Sequence, residues 1–250
     1  MKTVLVTGGT GTLGTLVVER LRRAGHQVRG LSRHPDSQDP SSCSVDLRRG
    51  TGLAEAVQGA DTVVHCATTP TGGDIESATH LLRALRRAGV KHLVYVSIVG
   101  VDRIPLGYYR DKHTVEQALE ASGLGWSVLR ATQFHDLVLT LCAGAARLPL
   151  MPVPQVDVQP VDAGEVAARL ARLAEGDPVG RAPDMGGPRV ESFRDLAGAY
   201  LSWAGLERRV LPVRLPGATF AAYRAGYHLT PQREVGTVTF QEFLDRHTTD

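Results

Sequence analysis

The sequence has almost no lysine: three residues in 250, at positions 2, 91 and 112, against 25 arginines. Where a positive charge of any shape would serve, this chain uses arginine, so a lysine hints at a place that wants a compact ammonium. It also lacks any apolar run of the 18 or more residues that a membrane-spanning helix needs; the longest candidate is only 137–146. Cysteine is scarce and odd in number. Cys43, Cys66 and Cys142 share no metal-ligand spacing, which argues against a disulfide framework or a zinc site and fits buried, reduced thiols. Net charge is only +2 with both signs scattered, so no basic footprint for nucleic acid or an anionic membrane is present. Repeats, low-complexity tracts and long linkers are absent. A strand pattern begins at Thr3 and a glycine-rich loop follows where a secretory signal would need its apolar stretch. The expectation is a cytoplasmic protein with a small-molecule substrate and neither a nucleic-acid nor a membrane partner. Homo-oligomerisation is left open.

What is there is a regular alternation of short apolar runs and amphipathic stretches. "KTVLVTG" (2–8) reads as a strand, "TLGTLVVERLRRAG" (12–25) as a helix with a glycine stop, and "HQVRGLSR" (26–33) as the next strand. Further strands are expected at 44–47, 61–67, 92–97 and 126–130, with helices at 52–58, 75–88 and 111–122. Parallel neighbours need crossover helices, so the alternation predicts an α/β fold with a Rossmann-type, doubly wound parallel sheet. After Arg130 the rhythm changes. Residues 147–162 are proline-rich and extended, and helices are expected at 163–175 and 192–204. A single domain over 1–250 is predicted, with a dinucleotide-binding core at 1–131. Residues 132–250 would mostly supply a smaller substrate-binding portion that does not fold independently.

"TGGTGTLG" (7–14) lies between the first strand and the first helix. Gly9, Gly11 and Gly14 fit G-x-G-x-x-G, and Gly8, Gly11 and Gly14 equally fit G-x-x-G-x-x-G. Glycine lets the backbone turn sharply against a pyrophosphate, and a helix N-terminus offers N–H groups and partial positive charge. About 20 residues further on, an NAD site commonly presents an acid to the ribose 2′-hydroxyl. Here the chain reads "LSRHP", with Ser32 and Arg33 in that place, while Asp36 and Asp39 lie too far into the loop. Arg33 matches a 2′-phosphate with its planar fork and Ser32 adds a hydroxyl, so NADP (NADPH) is expected over NAD.

With these motifs stand "VDL" (45–47), "VVHCATTP" (63–70), "VYVSIVGVDRIPLGYYRDK" (94–112) and "WSVLRATQFHD" (126–136). The set resembles the atypical short-chain dehydrogenase/reductase family, NmrA-like group, and the likeness continues in "VDVQPVDAGEVAARLA", "DMGGP" and "TFQEFL" nearly to the C-terminus. The resemblance implies that Gly8, Gly11, Thr12, Leu13 and Gly14 hold the pyrophosphate and that Asp46 and Leu47 lie along the adenine. It places Ala67, Thr68 and Thr69 on the ribose and nicotinamide side and gives the nicotinamide ribose to Lys112. Tyr108 would match the family's acid. Ala131, Thr132, Gln133 and Phe134 would border nicotinamide and substrate, with His135 a further substrate candidate.

In "YYRDK" (108–112), Tyr108 and Lys112 are one helical turn apart on one face. A phenol exchanges protons poorly at neutral pH, and a neighbouring ammonium is expected to lower its pKa. Tyr109 would point about 100 degrees away, into packing or a pocket wall. The related reductases often end the fifth strand with a serine pair; this chain has Ser97 followed by Ile98, so Ser97 either turns to the nicotinamide or satisfies the strand end. His65 reads as a core histidine and His113 as a surface one, while Asp102 and Arg103 are loop charges. The resulting expectation is an NADPH-dependent oxidoreductase acting on a carbonyl, enone or quinone. The alternatives are an NADP(H)-sensing regulator without turnover, or a non-redox isomerase or cyclase on the same scaffold.

Overall fold

Short apolar stretches become buried strands along the first half of the chain, and stretches with one apolar stripe become the helices between them. The computed structural model describes residues 1–35, 39, 41–69, 72–233 and 235–247, so Asp36 lies outside the described residues. In chain order the elements are β1 (Thr3–Thr7), α1 (Thr12–Arg23), β2 (Gln27–Ser32), β3 (Ser42–Ser44), α2 (Leu53–Ala56), β4 (Thr62–His65), α3 (Asp74–Ala88), β5 (His92–Ile98), α4 (Gly107–Glu120) and β6 (Gly125–Ala131). There follow α5 (His135–Ala145), β7 (Leu150–Pro154), β8 (Asp157–Val158), α6 (Ala163–Glu175), β9 (Gly180–Arg181), β10 (Glu191–Ser192), α7 (Phe193–Trp203), β11 (Arg209–Val213), α8 (Ala218–Arg224) and α9 (Phe240–Asp245).

The expected alternation is present. The third strand sits two residues earlier than expected, and α4 starts at Gly107 rather than Asp111, which puts all of "YYRDK" inside the helix. Two compact units form. The first comprises Met1–Ser97, Gly107–Arg130 and Gly164–Pro183, and the second comprises Ile98–Leu106, Ala131–Ala163 and Asp184–Asp250. The division at 131 expected from sequence is therefore crossed in both directions: residues 164–183 return to the first unit, and the loop 98–106 leaves it.

The first unit carries a seven-stranded sheet in the order β3-β2-β1-β4-β5-β6-β9. Pairing is parallel between β1 and β2, β1 and β4, β2 and β3, β4 and β5, and β6 and β9. Strand order reverses between β1 and β4, the switch point at which such sheets open a crevice beyond their carboxyl ends. On one side Leu5, Leu31, Val63 and Leu93 pack with Leu81 and Leu85 of α3 and Val115 and Leu119 of α4. Those helical residues recur four apart, which gives each helix one buried stripe. Basic residues end α1 and α3, where a helix C-terminus favours them. Lys2 shows what an ammonium supplies that a fork does not. Its Nζ donates to three converging carbonyls at the end of α6, those of Ala174, Glu175 and Gly176, at 2.8–3.3 Å.

The second unit has its own core, in which Val138 and Cys142 of α5, Met151 and Val153 of β7, Leu196 and Tyr200 of α7 and Phe240 and Phe243 of α9 pack together. Two small sheets complete it, β7 with β11 in parallel and β8 with β10 antiparallel. All three cysteines are free thiols, and burial pushes the pKa of Cys66 and Cys142 up to about 12.

One buried ion pair ties α4 to the sheet: Arg130 donates from Nε and Nη2 to the two carboxylate oxygens of Glu116, at 2.8 and 2.6 Å. Both residues are buried. Removing one partner leaves a buried charge, so Glu116→Ala is expected to cost about 3–5 kcal/mol, read as a lower urea midpoint at unchanged slope.

Candidate active site

The turn after β1 is built as tightly as its glycines suggest. Gly8 N–H and Gly9 N–H both donate to the Leu31 carbonyl, and Gly11 N–H donates to the Gly8 carbonyl. Gly8 has a φ of 68°, and a Cβ there would stand 2.9 Å from the Ala67 backbone; one on Gly14 would stand 2.0 Å from the Gly8 carbonyl oxygen. Gly11 is different. A Cβ at Gly11 would meet only the Gly8 oxygen, at 3.4 Å, so this face of the turn is open to an approaching group. Gly11 is also the N-cap of α1, no side chain caps the helix, and its first turn holds no acid. The uncapped N–H groups at the start of α1, on this open face, fit a pyrophosphate, and both glycine registers read from sequence describe the same turn.

At the end of β2, the Ser32 hydroxyl shares a 2.8 Å hydrogen bond with Thr10 Oγ1 and accepts the His34 N–H at 3.2 Å. Arg33 is exposed. Asp39 is committed elsewhere: its carboxylate accepts from Ser41 and, at 2.6 Å, from Arg22, which together hold its pKa down near 2. Asp46 holds a turn, since its Oδ1 accepts the N–H groups of Arg48 and Arg49, while Leu47 packs against the core.

Around β4, β5 and α4 a connected polar group assembles inside the first unit. Lys112, 3% exposed, projects from α4 beneath the ring of Tyr108, with Nζ 5.7 Å from that ring and 4.9 Å from the ring of Tyr95. Its ammonium donates to the Val96 carbonyl at 3.4 Å and faces Asp74 Oδ2 at 4.0 Å. Burial lowers the Lys112 pKa, and the charge of Asp74 opposes that shift. Asp74 starts α3 and is itself buried; Oδ1 accepts the Thr69 N–H at 2.9 Å and Oδ2 accepts the Thr68 hydroxyl at 2.5 Å. Thr68 Oγ1 in turn lies 3.0 Å from the Tyr108 hydroxyl. Ser97, at the end of β5, is buried and its hydroxyl has no hydrogen-bond partner among the described residues.

Two expectations change here. The Tyr108 pKa is raised, not lowered, because burial outweighs the lowering that a hydrogen bond donated by Thr68 would bring, and the nearby negative charge of Asp74 adds to the rise. Asp74, unrecognised from the sequence, is the residue that joins Thr68, Thr69 and Lys112; the only trace of it is an acid at the first position of a helix, where a carboxylate favours the dipole. Tyr109 is buried packing, as expected. His65 is a core histidine: Nδ1 shares a 2.7 Å hydrogen bond with Thr7 Oγ1, and the ring stacks on Tyr95 at 5.4 Å. The Ala67 N–H donates to the same Thr7 hydroxyl, which sets the chain direction at the end of β4.

The remaining candidates lie in the second unit. Ala131 bridges to Met185, and Thr132 donates from its backbone to the Met185 carbonyl and from its hydroxyl to the Gln159 carbonyl. Gln133 keeps both amide atoms buried without a partner among the described residues. Phe134 caps α5. His135 is fully buried, with Nε2 3.0 Å from the Val238 carbonyl and its ring against Phe240 and Phe243. The expectation that His135 meets substrate is corrected by this packing, which withdraws its ring into the core.

The sequence pattern of the family described as NAD(P)H-binding matches residues 8–140. An uncharacterised protein of Mycobacterium tuberculosis is 30% identical over 223 residues, covering 85% of this chain but 24% of its own length, so the chain spans about a quarter of that relative. The (4-alkanoyl-5-oxo-2,5-dihydrofuran-3-yl)methyl phosphate reductase of Streptomyces griseus is 31% identical over 204 residues, covering 77% of this chain and 70% of the relative. Among solved structures, an NADPH-dependent quinone oxidoreductase of Escherichia coli complexed with NADPH superposes with a TM-score of 0.84 over 97% of this chain and 98% of that one, at 19% identity. That likeness shows the fold.

Burial, with the Lys112 charge adding to it, lowers the His65 pKa from 6.5 to about 3. Between those values the unfolded chain binds the proton and the folded chain does not, so stability falls as pH drops from 6.5 towards 3. Unfolding titrations of wild type and His65→Gln across that window should differ in slope by up to about 1.4 kcal/mol per pH unit, the wild type being steeper.

Proposed function

This chain belongs to the NAD(P)H-binding family, in the atypical short-chain dehydrogenase/reductase group, and we propose that it is an NADPH-dependent oxidoreductase reducing a carbonyl, enone or quinone of a small organic substrate. The observation that carries this reading is the placement of Tyr108 and Lys112: one turn apart on α4, linked through Thr68 and Asp74, beside the carboxyl ends of β4 and β5. Bound NADPH would supply the hydride. Gly8, Gly11, Thr12, Leu13 and Gly14 would hold its pyrophosphate on the uncapped start of α1, Arg33 its 2′-phosphate and Lys112 its nicotinamide ribose. Asp46 and Leu47 would border the adenine, and Ala67, Thr69, Ala131 and Thr132 would complete the contacts.

The half-buried, protonated Tyr108 phenol would give its proton to the substrate oxygen, which becomes basic as hydride arrives. A raised pKa keeps that proton in place at neutral pH until then. Ser97, whose hydroxyl is buried without a partner among the described residues, would steady the same oxygen. Gln133 is a further proposed substrate contact, because both of its amide atoms are buried with no partner among the described residues. The reductase names of the Streptomyces and Escherichia coli proteins support the reaction type.

Two measurements test the reading. Calorimetry should show NADP binding more tightly than NAD, with Arg33→Ala reducing the NADP affinity by about tenfold or more and sparing NAD; equal affinities unaffected by the substitution would remove the 2′-phosphate contact. With a panel of quinones, enones and ketones, Tyr108→Phe should lower kcat about 100-fold or more while leaving cofactor binding unchanged, as removal of an acid acting only in the transition state does. Wild-type protein that binds NADPH and oxidises it with none of them would point to a sensor instead.

A further inference from the structure

The proton arithmetic around Thr68 gives Asp74 a role that the Tyr108 and Lys112 pair does not include. As a carboxylate, Asp74 has no proton to donate. Oδ1 accepts from the Thr69 N–H at 2.9 Å, Oδ2 accepts from Thr68 Oγ1 at 2.5 Å, and the Lys112 ammonium faces the same Oδ2 at 4.0 Å. A threonine hydroxyl owns one proton, and here Asp74 takes it. The 3.0 Å contact between Thr68 Oγ1 and Tyr108 Oη then has one consistent assignment: the phenol donates and Thr68 accepts. A hydroxyl that donated to Tyr108 would stabilise phenolate; this one cannot, because its proton is committed.

The geometry points to Asp74 as a positioning residue that acts through Thr68: by claiming the Thr68 proton it turns that oxygen into an acceptor, which holds the Tyr108 O–H on Thr68 and keeps Tyr108 in its proton-bearing form until a substrate oxygen takes the place of Thr68. This rests on the reading of Tyr108 as the acid but goes beyond it, since neither the Tyr108 and Lys112 spacing nor the family likeness assigns Asp74 a role. No bond to substrate is attributed to Asp74. The arrangement also accounts for the burial of a carboxylate at the start of a 15-residue helix rather than on its exposed side. The titratable groups around Tyr108 are Asp74 of α3, Lys112 and Tyr109 of α4 and Tyr95 of β5, so of these Asp74 is the anion able to reverse the Thr68 bond.

The test needs no substrate or cofactor, so its outcome is separate from whether the protein is a reductase. With tyrosine labelled at Cζ, the Tyr108 signal, assigned by its loss in Tyr108→Phe, is followed by carbon NMR against pH. Asp74→Asn can donate to Thr68 and free the Thr68 proton for the phenolate, so it should lower the Tyr108 pKa by about one unit or more. In a Thr68→Val background the same substitution should have half that effect or less. An unchanged pKa in Asp74→Asn overturns the proposal, and so does an equal shift in both backgrounds, which would mean that charge acts through space without Thr68. If Asp74→Asn does not fold, the wild type decides the matter. A through-hydrogen-bond correlation from the Thr68 hydroxyl proton to the Asp74 carboxyl carbon is the expected result, and one to Tyr108 Cζ overturns it.

Discussion

A buried ammonium is the constraint around which this site is arranged. Lys112 is fully enclosed between β5 and α4, and an unpaired charge there would be among the most costly groups a core can hold. Asp74 relieves part of that cost at 4.0 Å, the Val96 carbonyl takes one N–H, and two tyrosine rings offer their faces. The polar neighbours then fall into place. Asp74 must be buried at the start of α3, so it gathers Thr68 and Thr69 from the end of β4, and Thr68 reaches Tyr108. The same ammonium contributes to the depressed His65 pKa, which leaves a neutral imidazole to bridge Thr7 and Tyr95.

The sheet supplies the rest of the frame. Reversal of strand order between β1 and β4 brings the glycine turn and the Ala67–Thr69 segment to neighbouring strand ends, and the Cβ-free backbone of Gly8 lets the two approach. The glycine turn and the polar group around Asp74 therefore both follow the carboxyl ends of strands in the first unit. The buried Glu116 and Arg130 pair fixes α4 against β6, which holds Tyr108 and Lys112 at their height along the helix.

Much of this was legible in the residues. The period of the apolar positions gave the alternation of the first half, and α6 starts and ends where the Ala/Leu/Arg pattern does. The scarcity of lysine was informative: Lys112 is buried at the site and Lys2 caps three carbonyls, both tasks for a compact ammonium. Other features were hidden because they depend on partners distant in sequence. Asp74 stands one residue before the helix expected at 75–88, where an acid is ordinary, and its neighbour Lys112 is 38 residues away. His135 looked like a loop histidine until α9, more than 100 residues on, closed over it. The direction of the Tyr108 shift is not legible in sequence spacing, which counts the ammonium but neither burial nor the opposing carboxylate.

The sequence by itself determined the elements, the glycine turn, the absence of an acid where Arg33 stands and the one-turn spacing of Tyr108 and Lys112, because these rest on periodicity and on the stereochemistry of neighbouring residues. The tertiary structure alone decided which polar groups lose their water and which find partners. It buried Asp74 beside Lys112, left Ser97 and Gln133 without partners among the described residues, withdrew His135 and gave residues 98–106 to the second unit and 164–183 to the first. Desolvation and hydrogen-bond pairing are set by contacts between segments far apart in the chain, and local sequence does not encode those contacts.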